Sequence, residues 1–155
     1  MSFLLFDDEN RVNLLPLAYT KPIAEFRIGI LTITEKWRKR IPQEITFSGY
    51  YTESYLQDKY PLRKDGQEFW VNASACPNDQ LVEEILLLKD KQCLLDEAQN
   101  VIAFRAKNYN DIFDCERLIS KTSYTRISNL WDIFSYNDVE LALDFEMLSR
   151  VHRHS

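Results

Sequence analysis

Ser2-Phe3-Leu4-Leu5-Phe6-Asp7-Asp8-Glu9-Asn10-Arg11-Val12-Asn13 opens with four apolar residues after Ser2 and then turns abruptly polar. A continuous apolar run of this length predicts a strand buried on both faces, and the polar run from Asp7 to Asn13 predicts the loop that ends it. A leading strand buried on both faces is the signature of an α/β sheet rather than of a half-solvated antiparallel one.

The rest of the chain fits that reading. Pro16 and Pro22 keep the following segment from forming one helix. After Gly29, Ile30, Ile33, Trp37 and Ile41 repeat at helical spacing, and Pro42 closes the helix. Ile45 to Ser48 reads as a second strand stopped by Gly49, and Thr52 to Tyr60 as a short helix capped by Thr52. Arg63 to Gln67 holds a Lys-Asp-Gly turn before a third strand, Glu68 to Val71. Pro77 and Asn78 open a helix through Leu88, with Leu81, Ile85 and Leu88 on one face. Cys93 to Leu95 and Val101 to Arg105 flank a turn as a hairpin. Asn110 to Ile119 is predicted helical, Tyr124 to Ser128 and Leu130 to Phe134 strand-like, and a last helix runs from Ser135 to about Val151. Alternation of strands and helices predicts a three-layer α/β/α fold with a mostly parallel sheet. Residues 1–151 are expected to form a single domain, with 152–155 as a polar tail.

Composition narrows the function classes. With 155 residues, 45% hydrophobic and 28% charged, the chain is an ordinary globular domain. Its net charge of −5 argues against general nucleic-acid binding, and the basic cluster Lys36 to Arg40 reads as a solvated helix face. No run approaches the ~18 apolar residues of a membrane span. Cys76, Cys93 and Cys115 form no C-x-x-C pair, so they read as reduced, mostly buried thiols of a cytoplasmic protein. Trp37, Trp70 and Trp131 read as core residues. The only two His residues, His152 and His154, fall in the expected tail, which excludes a His-based nucleophile or general base in the folded body.

In an α/β sheet, ligands bind at the carboxyl ends of the strands. The chemistry is therefore sought in Asp7 to Arg27 and in Asn72 to Asp79. The first of these contains Pro16-Leu17-Ala18-Tyr19-Thr20-Lys21-Pro22, followed by Phe26-Arg27-Ile28-Gly29-Ile30-Leu31-Thr32-Ile33-Thr34-Glu35-Lys36-Trp37. The first run resembles the P-L-T-x-T-[RK]-P segment of sugar-1-phosphate nucleotidyltransferases. The second resembles a divergent branch of that superfamily, in which this domain precedes a left-handed β-helix of acyltransferase type. The resemblance implies a Rossmann-like, nucleotide-diphospho-sugar transferase fold. It also implies an activity like that of glucose-1-phosphate thymidylyl- or uridylyltransferases: a nucleotidyl group passes from an NTP to a sugar 1-phosphate, and pyrophosphate leaves. It further implies Mg²⁺ as cofactor, a C-terminal β-helix domain or a homo-oligomer as partner, and a chain that is an N-terminal part of a longer protein.

Carried over residue by residue, the resemblance assigns Arg11 and Lys21 to catalysis, and Arg11, Lys21, Arg27 and Asn72 to the nucleotide and its phosphates. Asp7 and Asp8 are the candidates for metal. The departures are specific. There is no Gly between Leu4 and Ile28, although a phosphate-cradling loop normally uses several. Ser74 stands near the position where the family has a metal-binding Asp. Arg27 has an alternative partner in Glu25 or Glu35. Two further readings therefore stand beside the enzyme: a decayed nucleotidyltransferase fold that binds a sugar nucleotide or a partner domain without turnover, and a plain α/β domain with an unrelated ligand.

Overall fold

A computed structural model describes residues 1–15, 17–63 and 68–153. The expected Lys-Asp-Gly turn lies outside the described residues, as does His154. The elements are β1 (Ser2–Phe6), β2 (Arg27–Ile28), β3 (Leu31–Thr32), α1 (Ile33–Arg40), β4 (Thr46–Tyr51), β5 (Glu68–Asn72) and β6 (Ala75–Cys76). They continue with α2 (Asp79–Leu86), β7 (Gln92–Leu95), β8 (Val101–Ala106), β9 (Glu116–Ile119), β10 (Thr125–Arg126), α3 (Leu130–Ser135) and α4 (Asn137–Arg153).

Six strands form one sheet in the order β4-β1-β5-β8-β7-β9. β1 is parallel to both β4 and β5, and β9 is parallel to β7; β8 alone runs the other way. The sheet is thus mostly parallel, as expected. All five residues of β1 are buried, because it has a strand on each edge and side chains packed on each face. Phe3 and Leu5 face the cluster containing Ile33 and Trp37 of α1 and Leu81 and Ile85 of α2. Leu4 and Phe6 face the opposite way, onto Trp70, Phe104 and Tyr109. Each such aliphatic side chain contributes roughly 1.5–3 kcal/mol by leaving water.

The two faces are covered differently. Helices lie on the first. On the second, a 3₁₀ turn, Tyr109–Asp114, packs on an aromatic group in which Trp70 and Phe104 stack at 5.5 Å and Tyr51 and Tyr109 at 4.9 Å. Trp37 and Trp70 are buried with their indole N–H groups donating to Ala75 O (2.9 Å) and Ala106 O (3.0 Å), so neither ring buries an unpaired donor.

Several elements depart from the sequence expectation. The first helix begins at Ile33, not Ile30, because Thr32 and Glu35 form a reciprocal capping box that fixes its start. β4 runs through Gly49 to Tyr51; a β-carbon at Gly49 would lie 2.0 Å from Pro61 O, so the strand needs glycine there. Thr52 caps no helix, and Ser54–Leu56 is a single 3₁₀ turn. The helix expected over Asn110 to Ile119 is the 3₁₀ turn followed by β9, whose backbone is claimed by parallel pairing with β7. Leu130 to Phe134 is helical: Asn129 and Asp132 cap α3 reciprocally, and this local bonding overrides the strand-like composition. Trp131 on that helix is 75% exposed, so it is not a core residue. The tail expected from 152 continues α4 as far as Arg153. Cys76, Cys93 and Cys115 are free and buried.

Lys36 is the largest correction. It lies on the inner face of α1 beside Trp37, 1% exposed, and not on a solvated helix face. Its Nζ sits 2.6 Å from Asp144 and 3.2 Å from Glu140, both on the buried side of α4. Asp144 also accepts from Ile30 N and Leu31 N, Glu140 from Thr125 Oγ1, and Asn137 from Gly29 N. One helix thereby holds the β2–β3 hairpin, which carries Arg27, and β10, which carries Arg126.

Candidate functional site at the carboxyl ends of the central strands

β1 and β5 end side by side, and the polar residues that follow them meet. Ala73 N donates to Phe6 O and Asp7 N to Tyr51 O, which carries the sheet ladder one residue past the strands and turns Asp7, Asp8 and Asn72 to one edge. Asp8 is the hub. It caps the 3₁₀ turn Glu9–Leu14 by accepting from Asn10 N (3.0 Å). It also accepts from Asn72 Nδ2 (2.9 Å), Ser74 Oγ (3.1 Å) and Arg126 Nη2 (3.3 Å). Asn72 is buried, donates as well to Val101 O at 2.9 Å, and accepts from Ser74 N.

Asp7 points to the neighbouring side. It accepts from Arg11 Nη1 (2.9 Å), Thr52 Oγ1 (2.5 Å) and Ile23 N (3.0 Å). Burial pushes its carboxyl above the ordinary Asp value, against the lowering effect of those donors. Between Asp7, Asp8, Arg11, Thr52, Ser54 and Gln57 lies an open cleft of about 280 Å³.

The expected site residues divide. Arg11 is buried and both its Nη atoms are occupied: it bonds Asp7, the carbonyls of Ala18 and Lys21, and Tyr55 Oη, with Glu53 3.9 Å from Nε. It fastens the loop on itself. Lys21 enters this group through its backbone carbonyl, while its Nζ lies over the Phe26 ring at 5.4 Å. Arg27 is exposed on the β2–β3 hairpin; it donates to Ile30 O and lies 4.0 Å from Glu35, the structural partner foreseen as its alternative. Asn72 joins Asp8 directly, whereas Lys21 and Arg27 do not reach it through any bond the structure shows among the described residues.

Ser74, weighed only as a weak metal ligand, is a donor to Asp8. Thr52, taken as a helix cap, binds Asp7. Arg126, which sequence reasoning passed over, pairs with Asp8 across 118 residues. Its Nη1 is buried without a hydrogen-bond partner, a state that costs on the order of 1–3 kcal/mol if nothing fills it.

The donor set does not make a magnesium site as arranged. Mg²⁺ needs carboxylate oxygens with lone pairs free to enter an octahedron. Both oxygens of Asp8 accept from protein donors, one of them cationic, and Asp7 is committed to Arg11, Thr52 and Ile23. Among the described residues no cluster of three acidic, His or Cys side chains converges on one point.

The molecule is therefore an α/β protein that gathers polar side chains at the carboxyl edge of a mostly parallel sheet, where open α/β sheets generally bind ligands. The family described as sugar nucleotidyl transferase matches residues 3–153, nearly the whole chain, and the chain belongs to that family. No curated protein matches it. Among the described residues no helix is long and apolar enough to cross a membrane.

Proposed function

We propose that the chain is a sugar-1-phosphate nucleotidyltransferase domain that binds an NTP and a sugar 1-phosphate along its carboxyl edge. The observation that supports this most is the convergence of Asp7, Asp8, Asn72, Ser74 and Arg126 beside the 280 Å³ cleft, in a chain of this family. In the reaction a phosphate oxygen of the sugar 1-phosphate attacks the α-phosphorus of the NTP. A new P–O bond forms, the α–β bridging bond breaks, and pyrophosphate leaves with the electron pair. Such chemistry needs positioning and cationic neutralisation more than covalent help. Lys21, its Nζ over Phe26, and Arg27, exposed on the β2–β3 hairpin, are the cations assigned to neutralising the phosphates. Arg11 has the indirect role of holding the loop that forms one wall. A C-terminal β-helix or homo-oligomeric partner belongs to the same proposal, and any Mg²⁺ is brought by the triphosphate rather than held by Asp7 and Asp8.

A second reading has its own support. Arg11 and both aspartates are saturated by their own protein, as in a fold kept for binding or assembly without turnover.

Thermal unfolding with UTP, dTTP, ATP and GTP, with and without Mg²⁺, separates them, because a ligand of the folded state raises Tm. We expect one nucleotide to raise Tm by a few degrees, less so in Lys21→Ala and Arg27→Ala, and to yield pyrophosphate once a sugar 1-phosphate is added. A shift without pyrophosphate supports the binding domain. No shift at millimolar nucleotide ends the enzyme reading.

A further inference from the structure

Of the two guanidinium groups bonded to the Asp7–Asp8 pair, Arg11 has both Nη atoms bonded, whereas Arg126 has one Nη without a partner. Both Nη atoms of Arg11 meet a carboxylate, carbonyl or hydroxyl of its own loop or of Tyr55, and its Nε lies 3.9 Å from Glu53. Arg126 uses Nη2 on Asp8 at a long 3.3 Å and lies against the Tyr124 hydroxyl, which itself bonds Asp96 at 2.7 Å. Its Nη1 is the one buried side-chain polar atom without a partner among the described residues. Buried donors are nearly always satisfied, so an orphan on a cationic fork marks a missing acceptor.

The fold explains how the group is held. β10 pairs antiparallel with β6, setting Arg126 opposite Ala75, one residue beyond Ser74 at the end of β5. Thr125, its neighbour, is bonded to buried Glu140, so the strand cannot drift. An oxyanion that takes Asp8's place meets Nη1 and Nη2 side by side, the two-point geometry that phosphate shares with carboxylate. Asp8 is not stranded by the exchange, because its other oxygen, Oδ1, still accepts from Asn10 N and Ser74 Oγ.

We propose that Arg126 is a substrate-binding residue that holds a phosphate oxyanion, with Asp8 as the internal partner it releases when the ligand enters. This rests on the nucleotidyltransferase reading for the source of the phosphate, which is either the triphosphate or the sugar 1-phosphate. The ligand chemistry is the same for both.

The experiment is calorimetric titration of the wild type, Arg126→Ala and Arg126→Lys with UTP, dTTP, glucose 1-phosphate, inorganic pyrophosphate and uridine. Thermal melts of each protein check its fold. We expect Arg126→Ala to weaken a phosphate-bearing probe by roughly 10- to 100-fold, as loss of a charged hydrogen-bond pair does, and to leave uridine unchanged. Lysine keeps the charge but not the fork, so it should recover part of the loss, and it serves as the test if the alanine variant does not fold. A loss confined to the nucleotides assigns Arg126 to the donor, and a loss confined to glucose 1-phosphate assigns it to the acceptor. Arg126-dependent binding of pyrophosphate alone upholds the oxyanion site and removes the nucleotidyltransferase reading. Equal affinities in wild type and both variants, or no binding of any phosphate probe, overturn the proposal.

Discussion

Two clusters of charge sit in this molecule some distance apart in sequence and alike in composition, yet built to different ends. Lys36, Glu140 and Asp144 are enclosed on every side, with the carboxylates' remaining capacity taken by Ile30 N, Leu31 N and Thr125 Oγ1. Asp7, Asp8 and Arg11 line a cleft at the sheet edge, and Arg126 pairs with Asp8 from behind it, with one buried donor unpaired. A buried charge that loses its counter-ion is costly, so complete mutual satisfaction in the first cluster reads as fastening. Incomplete satisfaction beside a cavity reads as a place for a ligand. The number of charges is similar; what differs is whether the pairing closes.

The sharpest way to break the contrast is Lys36→Met. It strands two carboxylates in the interior, and we expect a loss of about 3–5 kcal/mol and a fall in Tm of roughly 10 °C, measured by chemical and thermal denaturation. A loss below about 1 kcal/mol would show that the triad is not what fastens α4. Next in size is Gly29→Ala. Gly29 has φ +75°, and a β-carbon there would lie 2.7 Å from Glu140 C and Leu141 N, so α4 must back away. We expect about 1–3 kcal/mol, again by denaturation; a neutral result would mean that the hairpin and helix adjust without strain.

The smallest effect concerns the open cluster and pH. Burial holds the Asp7 carboxyl above its ordinary value of 3.8. A folded-state pKa above the unfolded one gives stability that is complete below 3.8 and lost as pH rises through the raised value. The stability of the wild type relative to Asp7→Asn should therefore decline as pH rises across that window, measured by urea unfolding at a series of pH values. The opposite slope would show that Arg11, Thr52 and Ile23 outweigh burial.

How much of this was legible in the sequence depended on range. β1, β5 and the β7–β8 hairpin were readable because apolar runs and turn residues act locally. The family was readable from Pro16 to Trp37. Trp131 and Lys36 were misread in opposite senses, because residue type suggests burial only on average. Lys36 did carry a signal: with Ile33 and Trp37 it falls at i, i+3 and i+4, on the apolar face. Its partner Asp144, 108 residues away, carried none. Arg126 was equally silent, since only the pairing of β10 with β6 brings it to Asp8. Fold class is written in neighbouring residues, whereas the candidate site is assembled from strand ends that the topology brings together.

That 108-residue span also bears on how the protein is made. At roughly 5–20 residues per second on the ribosome, Asp144 is synthesised some 5–20 s after Lys36. Until Glu140 and Asp144 are made, the Lys36 ammonium lacks both of the carboxylates that enclose it in the folded protein. The ion pairs that fasten the finished domain are thus among the last contacts the chain can form.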